Sequence, residues 1–513
     1  MRIIYRAVAV AMVVGLGGCS EESTRQPDAA VADAALDSRP SDGPLLDGKP
    51  VDGNVVDVRP PDGPAIDGPS PDAPLLSEVL NPDADMGDAG PHPELALLTS
   101  ELSNIVTRPG RELSSLAVLA IDEGEVSYER HFGYAYINNA MPSANVPAGT
   151  NTLYRVASMS KMVTAIGVMK LVDAGKVDLD KDASLYIGFK LRNPNFPDVE
   201  ITPRMLLSHR SSLRDDAGYS PPITTSLESM LTPTGANYTA AAWAVRDVAT
   251  NQAPGAHFSF ANLNYGLLGS VIEGASQQRF DKYMRDNVLA PLGIKGGYYP
   301  ADLPADVLSQ VATLYRKGDG AGVWNPSGPW VAQKDDFRAA PPEVFAGLQT
   351  YGLAKNGTLF APHGGLRISI SDMGKIMQLL LNNGRLNGIE ILKPASVNAM
   401  EANEWTFNGS NGDTSGGLFQ SWGLGMQRFT DKKDADRLLA SAPFSGFGHL
   451  GEAHGLYSGF VYDPITSDGM IYVIGGVGSN PDEYVGAYSK FHKWEEDIMS
   501  ALHRRAIARD TSP

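Results

Sequence analysis

Aspartates fall at positions 28, 33, 37, 42, 47, 52, 57, 62, 67 and 72, close to every fifth residue, with prolines and glycines between them. A period of five suits neither the 3.6-residue turn of a helix nor the two-residue pleat of a strand. Like charges and prolines keep such a chain extended and solvated. Whatever this protein folds must therefore be built from other residues. Residues 20–93 read as a disordered Asp/Pro/Gly-rich spacer, and residues 94–513 as the folded part. The spacing matches neither the nonapeptide calcium repeat nor the EF-hand loop, so a tether is the plainer reading. Of the formal net charge of −17, this segment carries −12, from sixteen Asp/Glu against Arg25, Arg39, Lys49 and Arg59. Arg2 and Arg6 add +2, which leaves −7 on residues 94–513. No basic face is evident, and nucleic acid is not an expected partner.

The first nineteen residues read as an address. Two arginines precede an apolar run, Ala7 to Leu16, that ends in Leu16-Gly17-Gly18-Cys19. A charged start, a short apolar stretch and small residues before a cut site describe a signal peptide. The run is too short to span a bilayer, which takes about 17–25 residues. Cys19 is the one cysteine in the chain, so no intramolecular disulfide and no cysteine-based zinc site can form. The small residues before it resemble a bacterial lipobox, in which Cys19 would be lipidated after cleavage. Ser20 in place of aspartate favours the outer membrane. The expectation is an exported protein held to the cell envelope through a lipid.

In the folded part, Leu116–Asp122 and Val126–Arg130 flank Glu123-Gly124-Glu125 and read as two strands joined by a tight turn. Tyr457–Asp463 and Met470–Gly475 read as a second pair, and Tyr484–Ile507 as a closing amphipathic helix. Between them Met162, Ile166 and Met169, and then Met373, Ile376, Met377 and Leu380, recur at helical spacing. Strands first, helices in the middle and strands last predict an α+β domain. Its antiparallel sheet is built from both ends and flanked by helices, with a mostly helical subdomain inserted, and the cleft between the two parts is the natural ligand site.

Ser158-Met159-Ser160-Lys161 opens the helical run. Serine and lysine three apart share a helix face, and a lysine with a depressed pKa can take the proton that keeps a serine hydroxyl unreactive. Alone the motif is weak, since a capping serine beside a surface lysine looks the same. It is followed in order by Ile201-Thr-Pro-Arg-Met-Leu-Leu-Ser-His209, by Pro254–Gly269 (which holds Phe260-Ala-Asn262), by Ala290-Pro-Leu-Gly-Ile294 and by Gly448-His-Leu-Gly451. Together with Tyr154–Lys161 these resemble the serine β-lactamase-like family of class C β-lactamases, D-alanyl-D-alanine carboxypeptidases, D-aminopeptidases and esterases, over about 110–505.

The resemblance implies a β-lactamase/transpeptidase-like fold and acyl-enzyme chemistry on an ester, amide or D-amino-acid peptide, with no cofactor. Ser158 would be the nucleophile, Lys161 its proton partner, and Asn262 the asparagine that contacts Lys161 and the substrate amide. His449-Leu450-Gly451 would supply the strand element beside the substrate. The backbone N–H groups of Ser158 and Glu452 would form the oxyanion hole. The alternative for His449 is a buried structural histidine. His209, His257 and His454 carry no role, and no metal-spaced His/Glu pair is present.

Phe260 is the departure, because the family has a tyrosine there whose phenolic oxygen relays protons. Three readings follow: Lys161 with a water, or His449, suffices; another hydroxyl such as Tyr457 swings in; or the protein is an inactive module that binds a cell-wall peptide or other ligand. Residues 316–345, rich in Gly, Pro and Trp, read either as a lid over the cleft or as a surface excursion.

Overall fold

A computed structural model describes residues 93–508, except 248 and 319–322. The signal segment, Cys19 and the Asp-rich spacer up to residue 92 lie outside the described residues. Among the described residues five helices of ten residues or more frame two packed layers: α1 (Pro93–Val106), α2 (Ser160–Asp173), α3 (Leu263–Ser276), α4 (Ile370–Leu381) and α5 (Lys493–Leu502). Short helical turns and irregular chain join them.

Nine strands form one antiparallel sheet: β1 (Ser115–Asp122), β2 (Glu125–Tyr136), β3 (Val146–Pro147), β4 (Trp405–Thr406), β5 (Ser421–Trp422), β6 (Gln427–Phe429), β7 (Gly446–Ala453), β8 (Leu456–Asp463) and β9 (Asp468–Ile474). Their spatial order is β4-β5-β6-β7-β8-β9-β1-β2-β3. Leu116 pairs with Ile474 and Ala120 with Met470, so strands from the two ends of the fold meet inside the sheet, as the strand pattern predicts. The α+β arrangement with an inserted helical part is the one expected.

The sheet is buried on both faces, which is why β1 reads as an unbroken apolar run rather than an alternation. Leu116, Val118 and Ala120, with Met470, Tyr472 and Ile474 of β9, pack with α1 and α5. Ala117, Leu119 and Ile121, with Ile471 and Val473, face the other core, shared with α2, α3 and α4. α2 is buried around most of its circumference. It therefore lies inside the second core rather than on its surface.

One expectation needs correction. The closing helix begins at Lys493, not Tyr484, and passes at His503 into a wider turn to Ile507. Ahead of it the chain loops back: Glu496 accepts from the N–H groups of Ala487 and Tyr488 and from the Ser489 hydroxyl. Glu495 accepts from the His492 N–H in a capping box. Carboxylates that satisfy several loop donors hold that loop against further helix. The 316–345 stretch is anchored at its ends. Strand Leu314–Lys317 pairs antiparallel with Trp330–Lys334 and parallel with Gly476–Val477, and the following Asp335 is held by Arg367 at 2.9 and 2.7 Å.

Candidate active site

Ser158 sits in a 3-10 turn, Ala157–Met159, at the mouth of α2. Ala157 holds φ +47°, a left-handed conformation costly for a residue with a Cβ. Contacts on two sides fix the turn. On one, Val156 N–H donates to Leu366 O (3.0 Å) and Leu366 N–H to Ser160 Oγ (3.1 Å). On the other, Ser458 Oγ of β8 donates to Val156 O at 3.2 Å. Gly451 of β7 lies directly beneath. A Cβ there would stand 2.4 Å from Ser458 Oγ, 2.7 Å from Val156 O and 3.3 Å from Ala157 Cβ. Glycine is what lets strand and turn approach this closely. β7 pairs with β6 only through Gly446–Gly448, so residues 449–453 have no strand on that edge, the one nearer the turn.

Lys161 Nζ donates to Ser158 Oγ at 3.0 Å, to Asn262 Oδ1 at 2.8 Å and to the His363 carbonyl at 2.8 Å. The lysine is fully buried while Ser158 is half-buried. Burial pushes the Lys161 amine from 10.5 down to about 7, against the opposing pull of Asp215. The structure thus brings Ser158, Lys161 and Asn262 into one hydrogen-bonded group.

Asp215 extends that group. Its carboxylate accepts from Asn262 N–H (2.7 Å), Asn262 Nδ2 (2.9 Å) and Leu263 N–H (3.0 Å). It caps the start of α3 and turns the Asn262 amide so that Oδ1 faces the lysine. Burial raises its carboxyl pKa, and these N–H groups and Lys161 pull it back. Sequence reasoning missed Asp215, because Arg214-Asp215-Asp216 looks like any charged surface turn. It missed the 362–366 segment too. Pro362 O accepts from Thr164 Oγ1 (2.8 Å), His363 O from Lys161 and Gly364 O from Arg155 Nε (3.0 Å). Backbone carbonyls leave no mark in a sequence.

Phe260 lies beside the lysine, its ring centroid 4.8 Å from Lys161 Nζ. It is stacked between His209 (4.5 Å, 28°) and Phe419 (5.3 Å, 24°). His209 is structural: its backbone carbonyl accepts from Ser259 N–H, and Nδ1 accepts from Ala261 N–H at 3.2 Å, stitching the second motif to the third. Burial holds its pKa well below the ordinary value. His449 is buried, with its ring 6.1 Å from Phe260. Its Nδ1–H donates to Leu450 O at 2.6 Å, which leaves Nε2 a lone pair without a partner. Burial, then Lys161, holds its pKa down to about 3.

Tyr457 does not swing in. Strand alternation turns Ser458 toward the Ser158 turn and Tyr457 toward the opposite core, where its hydroxyl donates to Glu452 Oε1 at 3.1 Å and its ring meets His492. The Glu452 side chain points the same way. His257 lies 3.6 Å from Asp413, away from the lysine, and His454 is exposed at the β7–β8 turn. Among the described residues no group of three or more His, Cys, Asp or Glu is placed to hold a metal, and no helix is long and apolar enough to cross a membrane.

The Beta-lactamase family model matches residues 103–492, well over half of the chain. The chain belongs to the Beta-lactamase family. It is 27% identical to Protein flp of Staphylococcus aureus (strain N315) over 176 residues, 34% of this chain and 33% of that protein. The match thus spans a third of that relative's length. The octameric penicillin-binding protein homologue from Pyrococcus abyssi superposes with a TM-score of 0.51 at 20% identity, covering 80% of this chain and 76% of that one. The D-amino acid amidase from Ochrobactrum anthropi SV3 gives 0.51 at 19%, covering 79% and 98%. At such identities the two structures speak for the fold alone. For this Beta-lactamase family member, they agree with the sheet and the inserted helices described above.

Proposed function

We propose that this protein is an exported serine hydrolase that forms an acyl-enzyme at Ser158 on an ester, amide or D-amino-acid peptide. The observation that carries the reading is the fully buried Lys161 amine, 3.0 Å from Ser158 Oγ and poised near neutrality. In its neutral form the amine takes the hydroxyl proton as Oγ attacks the carbonyl carbon. The oxyanion is received by the backbone N–H groups of Ser158 and Glu452, donors of a kind worth about 2.7–4 kcal/mol in the barrier. The proton on Lys161 then passes to the leaving oxygen or nitrogen, and water releases the acyl group. Asn262 and His363 O keep the amine aimed throughout. Cys19 would carry the lipid that ties the enzyme to the envelope. Fatty-acid labelling of the wild type but not of Cys19→Ala is the expected result.

Phe260 favours a second reading, a module that binds a cell-wall peptide without turning it over. The phenyl ring keeps the packing and lacks the relay oxygen, a loss of one acid–base group typically costing about 10²–10⁴ in rate. A fluorophosphonate probe followed by mass spectrometry separates the two. An adduct on Ser158, absent from Ser158→Ala, supports the hydrolase, and no adduct with retained peptide binding supports the binder. Phe260→Tyr should raise turnover if the missing oxygen is what slows the enzyme.

A further inference from the structure

Thr164 sits inside α2, one turn past Lys161, and is fully buried. A threonine in a helix interior commonly returns its hydroxyl proton to the carbonyl four residues back. Here that carbonyl, Ser160 O, accepts from the Tyr298 hydroxyl at 3.0 Å, and Thr164 Oγ1 donates outward to Pro362 O at 2.8 Å. The two hydroxyls also meet at 3.1 Å. With the threonine proton spent on Pro362 O, the Tyr298 proton is the one shared between Ser160 O and Thr164 Oγ1, which keeps the threonine aimed. Burial raises the Tyr298 phenol above its ordinary pKa, so that proton stays in place.

What Thr164 holds is the turn that serves the lysine. Ala361 O accepts from the N–H groups of Gly364 at 2.9 Å and Gly365 at 2.7 Å, which closes the turn on itself. The next three carbonyls, of Pro362, His363 and Gly364, go outward to Thr164, Lys161 and Arg155. Ala361 takes φ +47°, a strained conformation for a residue with a Cβ, so the turn depends on those outside contacts to keep its shape. Pro362 O and His363 O stand on adjacent peptide planes joined at one Cα. A shift of the first therefore carries the second. Ser160 Oγ, accepting from Leu366 N–H at 3.1 Å, fixes the far end of the same segment on the same stretch of α2.

We propose that Thr164 is a positioning residue of the site: through Pro362 its hydroxyl keeps His363 O on the Lys161 amine and so sets the aim of that amine. This rests on Lys161 acting as the base for Ser158. A carbonyl withdrawn from the amine favours its charged form less, so the midpoint of its titration should fall. The other charged or titratable groups around the amine are Asp215 behind Asn262, Arg155 across the turn, and His209, His363 and His449, all three held neutral by burial. Thr164→Val changes none of these charges; it keeps the shape of the side chain and removes the donor. In the full-length protein it should lower the fluorophosphonate labelling rate of Ser158 on its alkaline plateau by about tenfold. It should also move the midpoint of the pH profile down by about one pH unit. Thr164→Ser, which keeps the hydroxyl, should restore both. A threonine that only packs α2 would leave the midpoint where it is, whatever Thr164→Val does to the melting temperature. An unmoved midpoint therefore overturns the proposal, as does a midpoint displaced as far in Thr164→Ser as in Thr164→Val. If Thr164→Val fails to fold, Tyr298→Phe decides, because it frees the threonine to turn back on Ser160 O. A midpoint shifted in the same sense supports the role, and an unshifted one overturns it. If Ser158 of the wild type takes no fluorophosphonate, the hydrolase reading falls separately. The Lys161 midpoint is then read by NMR from the lysine Cε signals of isotope-labelled protein, and the same outcomes decide.

Discussion

Removal from water penalises the charged form of the Lys161 amine, and the negative Asp215 behind Asn262 opposes that by favouring it. The balance near 7 makes acylation pH-dependent in a definite sense. Protonated, Lys161 cannot accept the Ser158 proton. The fluorophosphonate labelling rate should therefore climb about tenfold per pH unit below 7 and level off above it. Lys161→Arg, which stays charged, should lose the climb together with most of the rate. Stability follows the same proton: between pH 7 and 10.5 the unfolded chain holds a proton on this lysine that the folded protein does not. The lysine's contribution to stability thus rises with pH across that window. Asp215→Asn removes the opposing pull, so the midpoint of the labelling profile should move to lower pH. An unshifted midpoint would show that Asp215 only caps α3. Ser158, Lys161 and Asn262 were legible in the sequence because side-chain chemistry at fixed spacing marks them. Asp215 and His363 were not, one being an ordinary surface-type aspartate and the other acting through its carbonyl.

The elements around the site work by close approach. β7 can lie against the Ser158 turn only because residue 451 has no side chain, and the atoms a methyl group would meet include a backbone carbonyl that cannot rotate away. Gly451→Ala should therefore displace the turn rather than unfold the sheet. A displacement near 1 Å typically costs on the order of 10²-fold in rate. The labelling rate of Ser158 should fall by that order while the circular dichroism spectrum stays that of the wild type; a full rate would mean the turn has slack. The motif around Gly451 was readable, but the reason for it was not, since close packing pairs residues some three hundred positions apart. The same limit explains the closing helix. Its apolar spacing ran on to Tyr484, and nothing local showed that Glu495 and Glu496 bend back to hold the preceding loop.

Across the whole molecule the sheet separates two cores with different duties. One holds α2, α3 and the serine–lysine group; the other joins α1 and α5 and reaches that group through Phe260, whose ring packs on it and lies 4.8 Å from Lys161 Nζ. Hydrophobic runs at both ends of the sequence announced that closure, whereas the division of labour between the faces emerged only from the register of β1 and β9. Trp494 anchors the second core: it is fully buried, its Nε1 donates to Arg111 O at 2.9 Å, and Tyr484 meets its ring edge-on at 4.6 Å. Trp494→Ala leaves a cavity and an unpaired carbonyl, and such truncations cost about 3–5 kcal/mol. The ion pair of Arg108, just past α1, with Asp497 of α5 at 2.9 Å is partly exposed and contributes little to offset it. Thermal unfolding should therefore move to clearly lower temperature. Well below that transition the labelling rate of Ser158 per folded molecule should match the wild type, because no residue of the serine–lysine group touches Trp494. A variant with an unchanged melting temperature and a slowed serine would mean that the two faces are coupled through the sheet, and the separation argued from the register would fail.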